Sequence, residues 1–200
     1  MNELIRSWVW WDFRLATAFT VIAPLGLLVW AVIQKNKTLI KALTIYWRVS
    51  ALLAITVYLL IADLSFGYIT GWLARILIPA SLWFWSDLNA LISQARRRLD
   101  QVYRLWRWLV TGYCMVGTLT GLAFLPCSLN YAFSPGVCDI LTEAPKQFQQ
   151  IFHPSTPVEI LARGAILALG LYVIYFICFL MFKLRRHGRS ALITRDQATG

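Results

Sequence analysis

Charge is scarce in this chain of 200 residues: Asp, Glu, Lys and Arg make up 14% of it, acidic residues number 9, and there are 2 histidines. Soluble domains carry about a quarter charged residues, so this composition excludes an ordinary water-soluble domain. The signatures of enzyme chemistry are missing as well. The chain has no Gly-rich phosphate loop, no GxSxG, no HExxH and no cluster of carboxylates inside its apolar runs. Two histidines are too few for multi-haem or multi-pigment ligation. His153 lies in a loop, and its surroundings match no zinc pattern. His187 sits just past the last apolar run, where an axial-ligand role competes with a solvated one; its basic neighbours favour the solvated role. The expectation is a non-enzyme without cofactor or metal. No repeat of fixed period appears. The first apolar run, from Leu15, ends in AVIQKNK without a small-x-small cleavage site, so it is expected to stay as an anchor.

Apolar residues, by contrast, fill 59% of the chain, and the mean hydropathy is +0.62. This is the composition of an integral membrane protein. The predicted fold is all-α, a single polytopic membrane helix bundle, because a helix satisfies its own backbone groups in lipid. Runs of about 17 to 25 residues can cross ~30 Å of hydrocarbon. They place spans at 15–33, 44–63, 67–85, 108–126 and 158–182, with an amphipathic helix at 87–107, an outer loop at 127–157 and a basic tail at 183–200. Pro24 and Gly26 in the first span and Pro79 in the third predict kinks rather than breaks.

The net charge of +10 is explained by where the cations fall. With five spans, one side collects fourteen Lys and Arg residues, from Lys35 to Arg48, from Arg96 to Arg107 and from Lys183 to Arg195; the other has Arg6, Arg14, Lys146 and Arg163. By the positive-inside rule the C-terminus is cytoplasmic and the N-terminus lies outside or in a lumen. A re-entrant or interfacial 67–85 segment would reduce the count to four and put the basic middle loop and tail on the opposite side from Lys35 to Arg48, so the charge rule favours five.

Arg75 is the nineteenth cation and lies inside a span, which makes it a functional-site candidate by default. Its expected partner is Asp63, across a tight turn marked by Asp63, Ser65 and Gly67; Glu159 and Asp12 are alternatives. The bland reading is a snorkelling or purely structural arginine.

On the outer side, Cys127 and Cys138 bracket CSLNYAFSPGVC, and ten intervening residues allow a disulfide in an oxidising compartment. Cys114 and Cys178 lie in spans and read as packing residues. Residues 139–152 form an expected short helix with Ile140, Leu141, Ala144, Phe148, Ile151 and Phe152 on one side, for a membrane surface, a partner or a lid over the protein's own helix ends. Ten Trp, eight Tyr and eleven Phe residues supply an interfacial belt, including Trp8, Trp10 and Trp11 at one side and Trp83, Trp85, Trp106 and Trp108 at the other.

The stretch SQARRRLDQVYRLWRW is the densest basic segment. Leu88, Ile92, Ala95, Leu99, Val102, Trp106 and Leu109 recur at spacings of four and three, which predicts one continuous helical stripe. Asp100, Arg97, Arg104 and Arg107 fall on the far side, with helical pairs between Arg96 and Asp100 and between Asp100 and Arg104, and Ser86 or Asp87 as the cap. Arg96, Arg97, Arg98, Arg104 and Arg107, with Leu99 and Trp106, then form a surface for anionic lipid headgroups or for a partner helix. No nucleic-acid recognition fold accompanies them.

At WWDFRLATAFTVIAPLGLLVWAVIQK and LTIYWRVSALLAITVYLLIADLSFGYITGWLARILIP the chain resembles a small family of uncharacterised multi-span proteins from cyanobacteria. The resemblance implies a thylakoid membrane, with the basic side cytoplasmic and the cysteine loop lumenal. By analogy with small proteins of such membranes, it points to an accessory or assembly factor for a photosynthetic complex, photosystem II foremost, with larger complex subunits as partners. The alternative is a small transporter or lipid-handling protein that uses Arg75 to bind an anion or headgroup.

Overall fold

The computed structural model describes residues 2–129 and 137–184. Every regular element among them is helical. In order these are α1 (Asn2–Ala16), a π-helical stretch Thr17–Ile22, α2 (Ala23–Ile33), α3 (Lys37–Ile61), α4 (Phe66–Phe84), α5 (Ser86–Gln94), α6 (Arg98–Leu122), a 3-10 turn Leu125–Leu129, α7 (Val137–Phe152), α8 (Val158–Cys178) and a π-helical end Phe179–Leu184. The Pro135–Gly136 turn, His187 and the basic tail beyond Leu184 lie outside the described residues.

Among the described residues, three helical stretches are long and apolar enough to cross a membrane: Glu3–Ile33, Lys37–Ile61 and Val158–Met181. A fourth is available if α4 and α5, bent by 65° at Trp85, count as one broken span. The expected count of five is therefore not reached on length and composition. The shortfall is α6, whose first half carries Arg98, Asp100, Arg104 and Arg107 and whose second half is rich in Thr and Gly.

Pro24 explains the π-helical stretch in the first helix. A proline has no N–H, so it frees carbonyls one turn earlier, and both are taken up from neighbouring helices: Tyr46 Oη of α3 donates to Thr20 O at 2.7 Å, and Trp106 Nε1 of α6 to Phe19 O at 2.9 Å. The helix runs on without a break, as expected. Tyr46 and Trp106 then meet edge to face, with ring centroids 5.1 Å apart. Pro79 likewise leaves α4 unbroken.

Helices α4 and α8 both run antiparallel to α3. Thr56 Oγ1 of α3 lies 2.9 Å from Thr70 Oγ1 of α4, across the tight turn at Asp63, and Tyr172 of α8 reaches Val49 O of α3 at 3.3 Å. Further polar contacts mark the two ends of the bundle. One holds the start of α1, the α3–α4 turn, the 3-10 turn and α7; the other holds the α2–α3 turn, α5 and the start of α6.

The predicted helix 87–107 is two helices. Ala95 and Arg97 are extended, with ψ of 133° and 147°, because α5 runs across the end of the bundle whereas α6 returns through it. One straight helix cannot do both, and Arg104 Nη1 closes the corner on Ser93 O at 2.8 Å. The break also shifts the helical phase. Leu88, Ile92, Leu99 and Trp106 are buried as the stripe predicts, but on α6 the line continues through Tyr103 and Val110, leaving Val102 and Leu109 exposed. Asp100 and Arg107 are consequently buried rather than on a far side, and neither expected helical pair forms. Asp100 Oδ1 instead accepts from Asn36 Nδ2 at 3.2 Å. The cap is Trp85, not Ser86 or Asp87, and it makes no side-chain capping bond.

Candidate functional site

Arg75 joins its own helix, α4, to two others. Its Nη2 pairs with Asp12 Oδ2 of α1, and its Nη1 lies 3.4 Å from Gly117 O of α6. Tyr113 Oη donates to the other carboxylate oxygen of Asp12 at 2.8 Å. Asp12 thus receives two donors, and the arginine and aspartate neutralise each other in an apolar surrounding where a lone charge would be costly.

The arginine fits because α6 has glycine where it crosses. A Cβ on Gly117 would stand 2.9 Å from both Cδ and Nε of Arg75, and one on Gly121 would stand 3.1 Å from Trp72 Cδ1. Trp72 Nε1 in turn donates to Thr118 O at 3.1 Å. Glycines four apart on α6 therefore receive side chains three apart on α4, the close approach that small residues permit between membrane helices.

The expected Arg75–Asp63 pair does not form. Asp63 sits in the α3–α4 turn with φ of 52°, and its Oδ1 meets Lys146 of α7 at 2.8 Å. Arg75, more than two helical turns farther along α4, points across the bundle instead. Sequence spacing favoured the neighbour across the turn; the antiparallel return of α6 beside α4 and the length of α1 brought in Tyr113 and Asp12. Asp12 was legible only as a third candidate, because α1 extends to Asn2 and not merely to residue 15. The Gly117–Gly121 spacing was the signal available for the crossing point.

The second arginine of this helix pair is Arg107, only 6% exposed. It projects from α6 onto α4, with its guanidinium carbon 4.1 Å from the centre of the Trp83 ring, and its Nη1 donates to Asn89 Oδ1 of α5. Asn89 is held by its own donations to Leu82 O and Trp83 O at 3.2 and 3.3 Å. Of the other residues in the predicted surface, Arg96, Arg97 and Arg98 are exposed and Arg104 is half-buried. Leu99 and Trp106 are core residues, as is Trp85. These two tryptophans fill the bundle rather than the belt, because α2 and α3 cover the stripe.

At the opposite end Cys127 and Cys138 form the expected disulfide, with Cα atoms 5.8 Å apart. It ties the 3-10 turn to α7, which lies over the ends of α1 and α3. Ile140 and Ala144 face inward, while Arg6 pairs with Glu143 at 3.1 Å and Tyr68 Oη donates to Cys138 O at 3.1 Å. Phe148 and His153 pack on Tyr58, whose hydroxyl is 3.0 Å from His153 Nε2. Of the uses considered for this segment, a lid over the protein's own helices accounts for these contacts. Ile151 and Phe152 at its far end stay exposed. Cys114 is buried and Cys178 exposed. Among the described residues, no group of three or more His, Cys, Asp or Glu side chains is placed to hold a metal ion.

These features define an all-helical integral membrane protein whose helices are joined by polar pairs within the bundle. The chain belongs to the family described as protein of unknown function DUF3177, whose model matches residues 6–192. No curated protein and no solved structure matches it.

Proposed function

We propose that the protein is a non-enzymatic integral membrane accessory or assembly factor for a larger membrane complex. The observation that carries this reading is the surface of α8: only 6% of its most apolar stretch is covered by the rest of the chain, against 33% for the corresponding stretch of α3. Ile166, Leu167, Leu171 and Ile174 leave an extended apolar flank for lipid or for the helices of another subunit. The transporter reading draws less support from Arg75, because the guanidinium is already occupied by Asp12 and Gly117 O.

The resemblance to cyanobacterial proteins supports a finer form of the proposal: a thylakoid membrane and a photosystem, photosystem II foremost, as the complex served. In that form α6 crosses as a fifth span beside α4. The disulfide lid is then lumenal with the N-terminus, and the arginine-rich corner is cytoplasmic with the C-terminus, as the positive-inside bias favours. Isolation of a tagged full-length protein from gently solubilised membranes tests the reading. Recovery of photosynthetic subunits in stoichiometric amounts is expected; a protein that comes down with no other membrane subunit refutes it.

A further inference from the structure

Arg107 presents an electrostatic problem that the described residues do not solve. Its side chain is almost wholly enclosed, yet among the described residues no ion pair includes it. Nε is buried without a hydrogen-bond acceptor. The two partners it has, the Trp83 ring and the Asn89 amide oxygen, attract a cation without neutralising it. Arg104, one helical turn earlier, adds a second positive charge, and its Nη1 is engaged by Ser93 O. The nearest acid along α6, Asp100, is two turns away, ~10 Å at 1.5 Å per residue, and is held by Asn36. A buried cation left this way is among the least favourable arrangements in a protein unless an anion comes from elsewhere.

The surroundings say where that anion comes from. Asn89 fixes one end of the guanidinium and Trp83 fixes its plane. Nε lies on the edge that grips an oxyanion through two parallel hydrogen bonds, and among the described residues it has no acceptor. Trp83 touches Trp108 at 4.6 Å between ring centroids, and Trp108 is exposed. The corner where α4 bends into α5 therefore faces the surroundings of the bundle, at the end that also carries exposed Arg96, Arg97 and Arg98.

We propose that Arg107, with Arg104 beside it, binds a phosphate oxyanion at the α4–α5 corner, of the kind carried by an anionic phospholipid headgroup. This goes beyond the accessory-factor reading and does not depend on it, since a protein without a partner complex would bind the same anion.

Full-length protein, stripped of lipid in a neutral detergent, is titrated with short-chain phosphatidylglycerol, with short-chain phosphatidylcholine and with inorganic phosphate, while thermal unfolding is followed. A saturable rise in Tm with phosphatidylglycerol and none with phosphatidylcholine is expected. Arg107→Gln should weaken it by about tenfold or more, and Arg97→Gln, at an exposed position, should leave it unchanged. An equal response to inorganic phosphate supports the site with a free anion as its ligand. No saturable response of the wild-type protein to either anion overturns the proposal, as does an Arg107→Gln protein that responds like wild type. If Arg107→Gln does not accumulate, Asn89→Ala, which frees the guanidinium from its anchor, should weaken the response in its place.

Discussion

Arg75 and Arg107 sit on the same pair of antiparallel helices and reach across it in opposite directions. Arg75 leaves α4 and lies against Gly117 of α6; Arg107 leaves α6 and lies against Trp83 of α4. Ten residues of α6, ~15 Å, separate the two crossings. The first is closed. Asp12 cancels the charge, Tyr113 completes the carboxylate, and the lid above is tied down by a disulfide and by the Arg6–Glu143 and Asp63–Lys146 pairs. The second is uncompensated among the described residues, with an aromatic face and an amide in place of an acid. An arginine inside an apolar helix is thus by itself no sign of a ligand site. What separates a structural cation from a binding cation is whether the chain supplies the counter-charge.

That contrast can be broken from either side. The largest effect is expected from Arg75→Leu, which leaves Asp12 without its cation; the loss of stability should be about 3 kcal/mol or more, read as a lowered midpoint of unfolding in detergent. Next comes the disulfide. Cys127→Ser or Cys138→Ser should cost about 2 to 3 kcal/mol by the chain-entropy argument. In the native protein the two thiols should resist alkylation until reduced, and free labelling of both before reduction would contradict the pairing. Gly117→Ala forces Arg75 aside and should cost about 1 to 3 kcal/mol, as overpacking does; a neutral Gly117→Ala would show that the crossing of α4 and α6 is looser than the contact distances imply. Smallest is Arg107→Gln in lipid-free detergent, where relief of the uncompensated charge offsets the lost Trp83 and Asn89 contacts and the net change should be less than about 1 kcal/mol.

How much of this was legible beforehand follows the same division. The all-helical membrane class, the disulfide and the turn at Asp63 follow from local features: apolar run length, two cysteines in one loop, and turn residues in sequence. The stripe under the arginines was partly legible. Leu88, Ile92, Leu99 and Trp106 are buried, but nothing in SQARRRLD announces a helix break, since it contains neither Gly nor Pro. The break is imposed by tertiary geometry, by α5 turning across the bundle and α6 re-entering it, and it is what carries Asp100 and Arg107 inside. The partner of Arg75 was ranked too low for a related reason. Distance along the chain ranked Asp63 first, whereas helix length and antiparallel packing decide which side chains share a level in the bundle. Trp106 shows the same effect on a smaller scale: an apparent interfacial anchor is a core residue, because Pro24 leaves a carbonyl for its indole N–H.

The central claim is that the chain cancels the charge of Arg75 internally, through Asp12. A double-mutant cycle of Asp12→Leu and Arg75→Leu, followed by unfolding of the purified full-length protein, tests it most directly. A coupling of about 2 kcal/mol or more is expected, with the double variant more stable than either single one because neither charge is then stranded. Additive losses, with a coupling near zero, would contradict the account and show that Arg75 draws its counter-charge from somewhere other than Asp12.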